Sequence, residues 1–328
     1  MNVVITGGSG FLGHRLAETL LKRRGLAGAD GLERPIDRIT LVDLAPSASI
    51  ADPRVTQLAA DVADPAQLER AIDASTSSIF HLAAVVSGMA EADFELGMRV
   101  NIDASRALLD ICRARGHAPR VVFASSVAVY GGELPETVVD STAVLPQSSY
   151  GTQKAIVELL ISDYTRRGFV DGRVLRLPTI SVRPGRPNAA ASSFASGIIR
   201  EPLNGEEAVC PVDPDTRLWL LSPSTAIDCF IALHDLSADA LGANRMVNAP
   251  GLSVTVAGMI ASLGRVAGPD VAGRIRFARD PRVERIVASW PGAWDCTRAR
   301  TLGLPGDDSF DTIVERYIDE IQWRERRY

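Results

Sequence analysis

Nowhere in the 328 residues does an apolar run approach the ~20 positions that a membrane-spanning helix requires, which excludes an integral helical membrane protein. Cysteine is scarce. Cys112, Cys210, Cys229 and Cys296 lie far apart, with no C-x-x-C and no Cys/His pairing. A disulfide framework and a zinc site are therefore not expected, and a reducing cytoplasm is the natural compartment. No block of one charge sign occurs, and the formal net charge is -5. That balance argues against a nucleic-acid partner. A basic leader is missing too: Met1-Asn2-Val3-Val4-Ile5-Thr6 runs directly into glycines and reads as a first strand. There is no internal repeat and no low-complexity tract.

What the sequence does contain is alternation. Val3–Thr6, Ile39–Asp43, Val55–Leu58, Ile79–Leu82, Arg120–Ala124 and Arg173–Leu177 are short apolar runs of the kind buried in a parallel sheet. Helical patterns separate them: Phe11–Arg24, Pro65–Ile72 with Asp64 as its cap, a long amphipathic stretch Glu91–Arg115, and Ser149–Arg167. The expected fold is α/β, a doubly wound parallel Rossmann sheet with a smaller C-terminal α/β lobe for substrate. The expected division is 1–184 with a return of 222–250 for the cofactor domain, and 185–221 with 251–328 for the lobe. Thr225–Leu236, Val254–Val266 and Phe310–Arg324 read as helices, and Leu26–Arg38 reads as a surface loop.

Gly7, Gly10 and Gly13 are spaced by three, directly after the first strand and opening the first helix. That context lets backbone N–H groups approach a pyrophosphate at a helix N-terminus. Asp43 ends the second strand, where a carboxylate accepts both ribose hydroxyls and repels a 2′-phosphate, so NAD is expected over NADP. Asp61 and Val62 follow the third strand toward the adenine, and Leu82, Ala83 and Ala84 close the fourth with small residues. His81 is read as a packed, hydrogen-bonded histidine.

Tyr150 and Lys154 are four apart at the start of a helix and share one face. A phenol of pKa ~10 is a poor base at neutral pH, and lowering it by ~3 units takes about 4 kcal/mol of differential interaction. A neighbouring ammonium supplies part of that. Ser125 and Ser126 end the fifth strand at the edge that faces the ligand crevice, where a hydroxyl can orient the reacting oxygen.

These residues, with Asn101, Val129-Tyr130-Gly131, Tyr150-Gly151-Thr152-Gln153-Lys154, Trp294-Asp295, Arg298-Ala299-Arg300 and Leu302-Gly303, resemble the extended short-chain dehydrogenase/reductase family, the epimerase/dehydratase-like group. The resemblance covers nearly the whole chain. It implies Ser126, Tyr150 and Lys154 as the catalytic triad and Ser125 behind them. It implies Phe11, Leu12, Pro178 and Thr179 along the cofactor, and Asn101 as either a structural brace or a cofactor-side hydrogen bond. The polar substrate stretch of the sugar-nucleotide members is replaced here by Arg217-Leu218-Trp219-Leu220-Leu221, which argues against a large nucleotide-sugar pocket. Val85–Gly88, Leu177–Thr179 and Ser192–Phe194 are most similar to members that oxidise the C2 hydroxyl of a four-carbon sugar acid with NAD.

Two enzymatic outcomes follow from one triad: net oxidation of a small sugar acid, or epimerisation with transient hydride transfer. A non-catalytic dinucleotide-binding regulator has no need of Tyr150. Ser87, Gly88, Ser126, Tyr150 and Asn188 are expected at the substrate. Its carboxylate needs a partner, for which Arg217 is the first choice, with Trp219 as a wall and Arg183 and Arg186 as alternatives. A homodimer paired through the helices around 91–115 and 149–167 is expected from the resemblance.

Overall fold

The computed structural model describes residues 1–46, 50–185 and 190–325. Its centre is a seven-stranded sheet, every neighbouring pair parallel. From one edge to the other the strands are Val55–Ala59, Arg38–Asp43, Asn2–Thr6, Thr76–His81, Arg120–Ser126, Asp171–Leu177 and Met246–Asn248. The order reverses between Asn2–Thr6 and Thr76–His81, so the C-terminal ends of these two strands form the switch point where such sheets bind ligands.

Strand alternation divides the core. Val3, Ile5 and Val122 point to the face covered by helices Phe11–Lys22 and Pro223–Asp235. Val4, Val121 and Phe123 point to the face covered by helices Ala104–Arg115 and Ser149–Arg166. A third apolar cluster, including Val182, Ile198, Leu218, Met259 and Ile313, fills the C-terminal part. Small sheets support it: Thr179–Ile180 pairs in parallel with Arg217–Leu221, which pairs antiparallel with Leu252–Thr255.

Three local expectations are corrected. Residues 91–115 are not one helix. Helix Ser87–Ala92 stops at Asp93, whose extended backbone and side chain, accepting from the Leu96 N–H at 3.0 Å, start a new turn. A π-helical segment Met98–Asp103 follows before helix Ala104–Arg115, and such bulges re-aim side chains, here Asn101. Leu26–Arg38 is not merely a loop. Leu26–Ala27 and Glu33–Arg34 form a short antiparallel hairpin, and Ala27 is held by Asp235 and Arg120 at the end of helix Pro223–Asp235. Residues 252–255 are strand, and Thr255 caps a helix that begins only at Val256.

Among the described residues no helix is long and apolar enough to cross a membrane, and no group of three metal-type ligands occurs.

Asp307 ties the C-terminal part to the start of helix Pro223–Asp235. Its buried carboxylate accepts from the Ser222 N–H (2.6 Å), the Thr225 hydroxyl (2.6 Å) and the Arg316 guanidinium (2.7 Å). Asp307→Ala leaves the two buried donors unsatisfied and an unpaired charge beside them. A loss of about 3 kcal/mol in unfolding free energy is expected by denaturant titration, with a smaller loss for Asp307→Asn.

Candidate active site

The first strand ends at Gly7, which turns with φ +70 and is pinned by its N–H to the Val42 carbonyl (2.9 Å). A side chain could not be fitted here. A Cβ on Gly7 would stand 2.8 Å from the Ala83 nitrogen, and one on Gly13 would stand 2.2 Å from the Gly7 carbonyl oxygen. Turn, fourth strand and first helix therefore approach backbone to backbone. Gly10 caps helix Phe11–Lys22 without a side-chain bond to the first turn. Phe11 and Leu12, half-buried, open that helix. This cradle fits the pyrophosphate of a dinucleotide, whose charge the exposed N–H groups and helix dipole favour.

Asp43 stands beside the turn. One carboxylate oxygen accepts from the Ser9 N–H (3.0 Å) and the other from the Leu44 N–H (2.8 Å), which fixes the side chain with lone pairs to spare for two hydroxyl donors. These residues fit NAD. Asp61 is more committed: it pairs with Arg99 at 2.9 Å and accepts from the Ala63 N–H, next to buried Val62. The Leu82 N–H bonds the Thr6 carbonyl, and the Ala83 N–H reaches the Thr6 hydroxyl. His81 is fully inside. The Ser105 hydroxyl donates to the Asn101 carbonyl, so Ser105 accepts from His81 Nε2–H, and His81 Nδ1 accepts from Thr6 (2.7 Å). Burial holds His81 neutral, its pKa pushed down to about 3, as befits a packing histidine. Asn101 acts as a brace. It accepts from the Val85 N–H and donates to the Val85 carbonyl and to Gln153, closing the loop after the fourth strand.

The predicted triad residues come together. Helix Ser149–Arg166 starts at Ser148, whose hydroxyl accepts from the Gly151 N–H. Gly151 is what lets the helix dock: a Cβ there would lie 2.0 Å from the Ala128 carbonyl oxygen. Tyr150 is thereby placed over the end of strand Arg120–Ser126, where it and Ser126 border the same cavity. Ser126 also accepts from the Ala128 N–H at 3.2 Å. Lys154, one turn on and 2% exposed, donates to the Ala124 carbonyl (2.8 Å) and lies 4.5 Å from the Phe123 ring centre and 5.6 Å from that of Tyr150.

Burial dominates both titrations. It pushes the Tyr150 hydroxyl up to about 12, against the opposing pull of the Ser126 hydrogen bond and the Arg183 charge. It brings Lys154 down to about 7, against the charge of Glu158. Glu158, 2% exposed and one turn further along the same helix, accepts from Ser125 and from Arg176 through Nε (2.9 Å) and Nη2 (2.6 Å). Arg176 also donates to the Tyr130 hydroxyl, which donates to Asn248. Glu158 and Arg176 carry no motif of their own. Only the four-residue step from Lys154 hints at Glu158.

A cavity of about 130 Å³ opens in front of the triad. Ser87, Ser125, Ser126, Tyr150, Thr179 and Ser192 give it hydroxyls; Val86, Leu177, Pro178, Ile180 and Trp290 give it apolar walls. Gly88 sits one residue behind Ser87, half-buried in helix Ser87–Ala92. Trp290, unmarked in the sequence, arrives from the connection after helix Pro281–Ala288. Asn188 and Arg186 lie outside the described residues. Arg217 is not among the residues around the cavity. It is exposed at the start of its strand, donates to Ser253 (3.3 Å) and packs its stem on Gly292. Trp219 likewise turns inward against Trp294, with ring centres 5.3 Å apart, instead of walling the cavity.

Comparison with known proteins agrees with this geometry. The chain is 61% identical to D-erythronate dehydrogenase of Cupriavidus necator over 320 residues, 98% of each chain. It is 49% identical to D-erythronate dehydrogenase of Haemophilus influenzae, over 97% of this chain and 99% of that one. A crystal structure described as the nucleoside-diphosphate-sugar epimerase from Agrobacterium tumefaciens superposes with a TM-score of 0.91 at 42% identity, covering 97% of this chain and 94% of that one. The model of the NAD dependent epimerase/dehydratase family matches residues 3–219, the span that carries the glycine turn, Ser126, Tyr150 and Lys154. With that match and those relatives, the chain belongs to the NAD dependent epimerase/dehydratase family.

Proposed function

We propose that the protein is an NAD-dependent dehydrogenase that oxidises the C2 hydroxyl of D-erythronate to the 2-keto acid. The observation that carries this reading is that Ser126 and Tyr150 border one small cavity of about 130 Å³, with the Lys154 amine 5.6 Å from the Tyr150 ring centre. The names of the two bacterial relatives supply the substrate.

NAD, when bound, supplies the hydride acceptor. Gly7, Gly10 and Gly13 would hold its pyrophosphate, Asp43 its adenosine ribose, and Lys154 its second ribose. Ser126 and Tyr150 border the same cavity, so an alcohol oxygen seated there would bond both hydroxyls. Tyr150 then takes the hydroxyl proton. A phenol held near 12 needs cationic help to do this, and Lys154 and Arg183 are the charges in reach. Four-carbon and longer sugar acids, supplied with NAD, should give accumulating reduced cofactor. A flat absorbance with an altered sugar would instead mean epimerisation. Tyr150→Phe should keep NAD binding and lose at least ~100-fold in turnover. Near-native turnover would move the base elsewhere.

Lys154 also makes the unloaded protein sensitive to pH. Its amine titrates near 7 folded, against an ordinary value of 10.5. Below 7 the folded state holds a buried ammonium at full cost, and the cost declines as pH rises from 7 toward 10.5. Lys154→Met should therefore raise the melting temperature of the unloaded protein, more at about pH 6 than at about pH 9.5, while abolishing turnover.

The assembly is read as a homodimer. Ile156 and Leu159 on helix Ser149–Arg166 are 36% and 63% exposed, an apolar strip on the helix that carries the triad. Light scattering should give twice the 35.1 kDa chain mass. Leu159→Glu should shift it to one chain. The division into a cofactor domain of 1–184 with 222–250 and a substrate lobe of 185–221 with 251–328, and a cytoplasmic location, complete this reading.

A further inference from the structure

Two serines end strand Arg120–Ser126, and both border the cavity, but their protons are differently placed. The Ser126 hydroxyl accepts from the Ala128 N–H (3.2 Å), which leaves its proton free for a ligand. Ser87, another hydroxyl of the cavity, accepts from the Ala191 N–H (3.3 Å) and likewise keeps its proton. Ser125 is the reverse case. It is 2% exposed, and its hydroxyl donates to the Glu158 carboxylate at 2.5 Å. The direction of that bond is fixed from behind. Both Glu158 oxygens receive N–H groups of Arg176, from Nε at 2.9 and 3.1 Å and from Nη2 at 2.6 Å. Arg176 is itself anchored through Nη1 on the Tyr130 hydroxyl (2.6 Å). A carboxylate gripped in this way only accepts. A hydroxyl has one proton and two lone pairs. The Ser125 proton is committed to Glu158, and no hydrogen bond among the described residues uses its lone pairs.

We propose that Ser125 is a specificity-determining residue: it presents lone pairs alone to the cavity and accepts a hydrogen bond from a non-reacting hydroxyl of the substrate. This rests on the reading of the site as a sugar-acid dehydrogenase and adds how a polyhydroxy acid is told from a plain one. A second alcohol on the acid donates to the serine. A hydrogen at the same place leaves the buried oxygen unpaired, and a fluorine or keto oxygen opposes it lone pair to lone pair. Ser126 and Tyr150 remain for the reacting hydroxyl. Glu158 acts through Ser125, as a positioning residue that sets its polarity. Glu158→Gln reverses that polarity. The amide oxygen belongs at the Oε2 position, which receives two N–H groups from Arg176, so the amide NH2 faces Ser125 and donates to it. Ser125 then turns its proton to the cavity.

The test uses the full-length enzyme with NAD, comparing wild type, Ser125→Ala and Glu158→Gln. The substrates are D-erythronate and the acids in which hydrogen or fluorine replaces its C3 or its C4 hydroxyl. At one of these carbons wild type should favour D-erythronate over the deoxy acid by about 10-fold in kcat/KM, the effect of one hydrogen bond lost at a buried acceptor, and should do no better with the fluoro acid. Ser125→Ala should bring the deoxy ratio to within about twofold of unity and raise the fluoro acid relative to D-erythronate, with an unchanged NAD dissociation constant. Glu158→Gln should raise the fluoro acid above the deoxy acid. A merely structural role, or the loss of a charge near Lys154, lowers all the acids alike and leaves these ratios unmoved. Should Glu158→Gln not fold, Ser125→Ala decides by its two ratios. Ratios in Ser125→Ala within about twofold of wild type, or a wild type that discriminates at neither carbon, would overturn the assignment of Ser125. A fluoro acid that gains nothing in a folded Glu158→Gln would overturn the polarity set by Glu158. A wild type that reduces no NAD with D-erythronate would instead overturn the function on which the proposal rests.

Discussion

The burial of one ammonium governs this site. Lys154 sits buried at the end of the central sheet, next to the phenol it serves, and water is excluded from it. Exclusion of water strengthens a charge's pull on its neighbours, and it also makes the charge hard to keep. The rest of the local structure answers that conflict. The Ala124 carbonyl and the Phe123 ring face give the ammonium partners, and Glu158 sets a negative charge one turn away. Glu158 in turn is too deep to stand alone, and Arg176 grips both of its oxygens. A chain of buried polar groups thus runs from the cofactor side of the sheet to Asn248 on its edge strand. Each member is satisfied by the next, the condition under which buried polar groups are tolerated.

Much of this was legible in the sequence where the determinant is local. Gly7, Gly10 and Gly13 follow a strand and open a helix, and the backbone contacts that exclude a Cβ at Gly7 and Gly13 are the reason for that spacing. Tyr150 and Lys154 meet the crevice together because four residues make about one helical turn, and Gly151 between them admits the helix to Ala128. The central strands were readable because a strand covered on both faces shows a continuous apolar run. Where tertiary contact decides, the pattern failed. Glu91–Arg115 has helical periodicity throughout, yet Asp93 and the π-helical turn around Asn101 break it to close the loop at Val85. The hairpin at Leu26–Arg34 depends on Asp235 and Arg120, distant in sequence. Arg217 attracted attention as the residue retained from a family stretch, but strand position and the Ser253 contact set it outside the cavity. Trp290 belongs to the site by packing alone, with no spacing to announce it, and Glu158 is marked only by its four-residue step from Lys154.

Trp290 has a consequence for how such proteins diverge. The sheet, the glycine turn and the triad form one rigid assembly whose members constrain each other through backbone contacts and buried charge. One wall of the cavity, Trp290, comes from elsewhere, a short connection after an amphipathic helix. That connection touches the cavity without touching the glycine turn, so the wall and the cofactor cradle are built by separate parts of the chain. The shape of the cavity and the chemistry done in it thus rest on different segments of one chain.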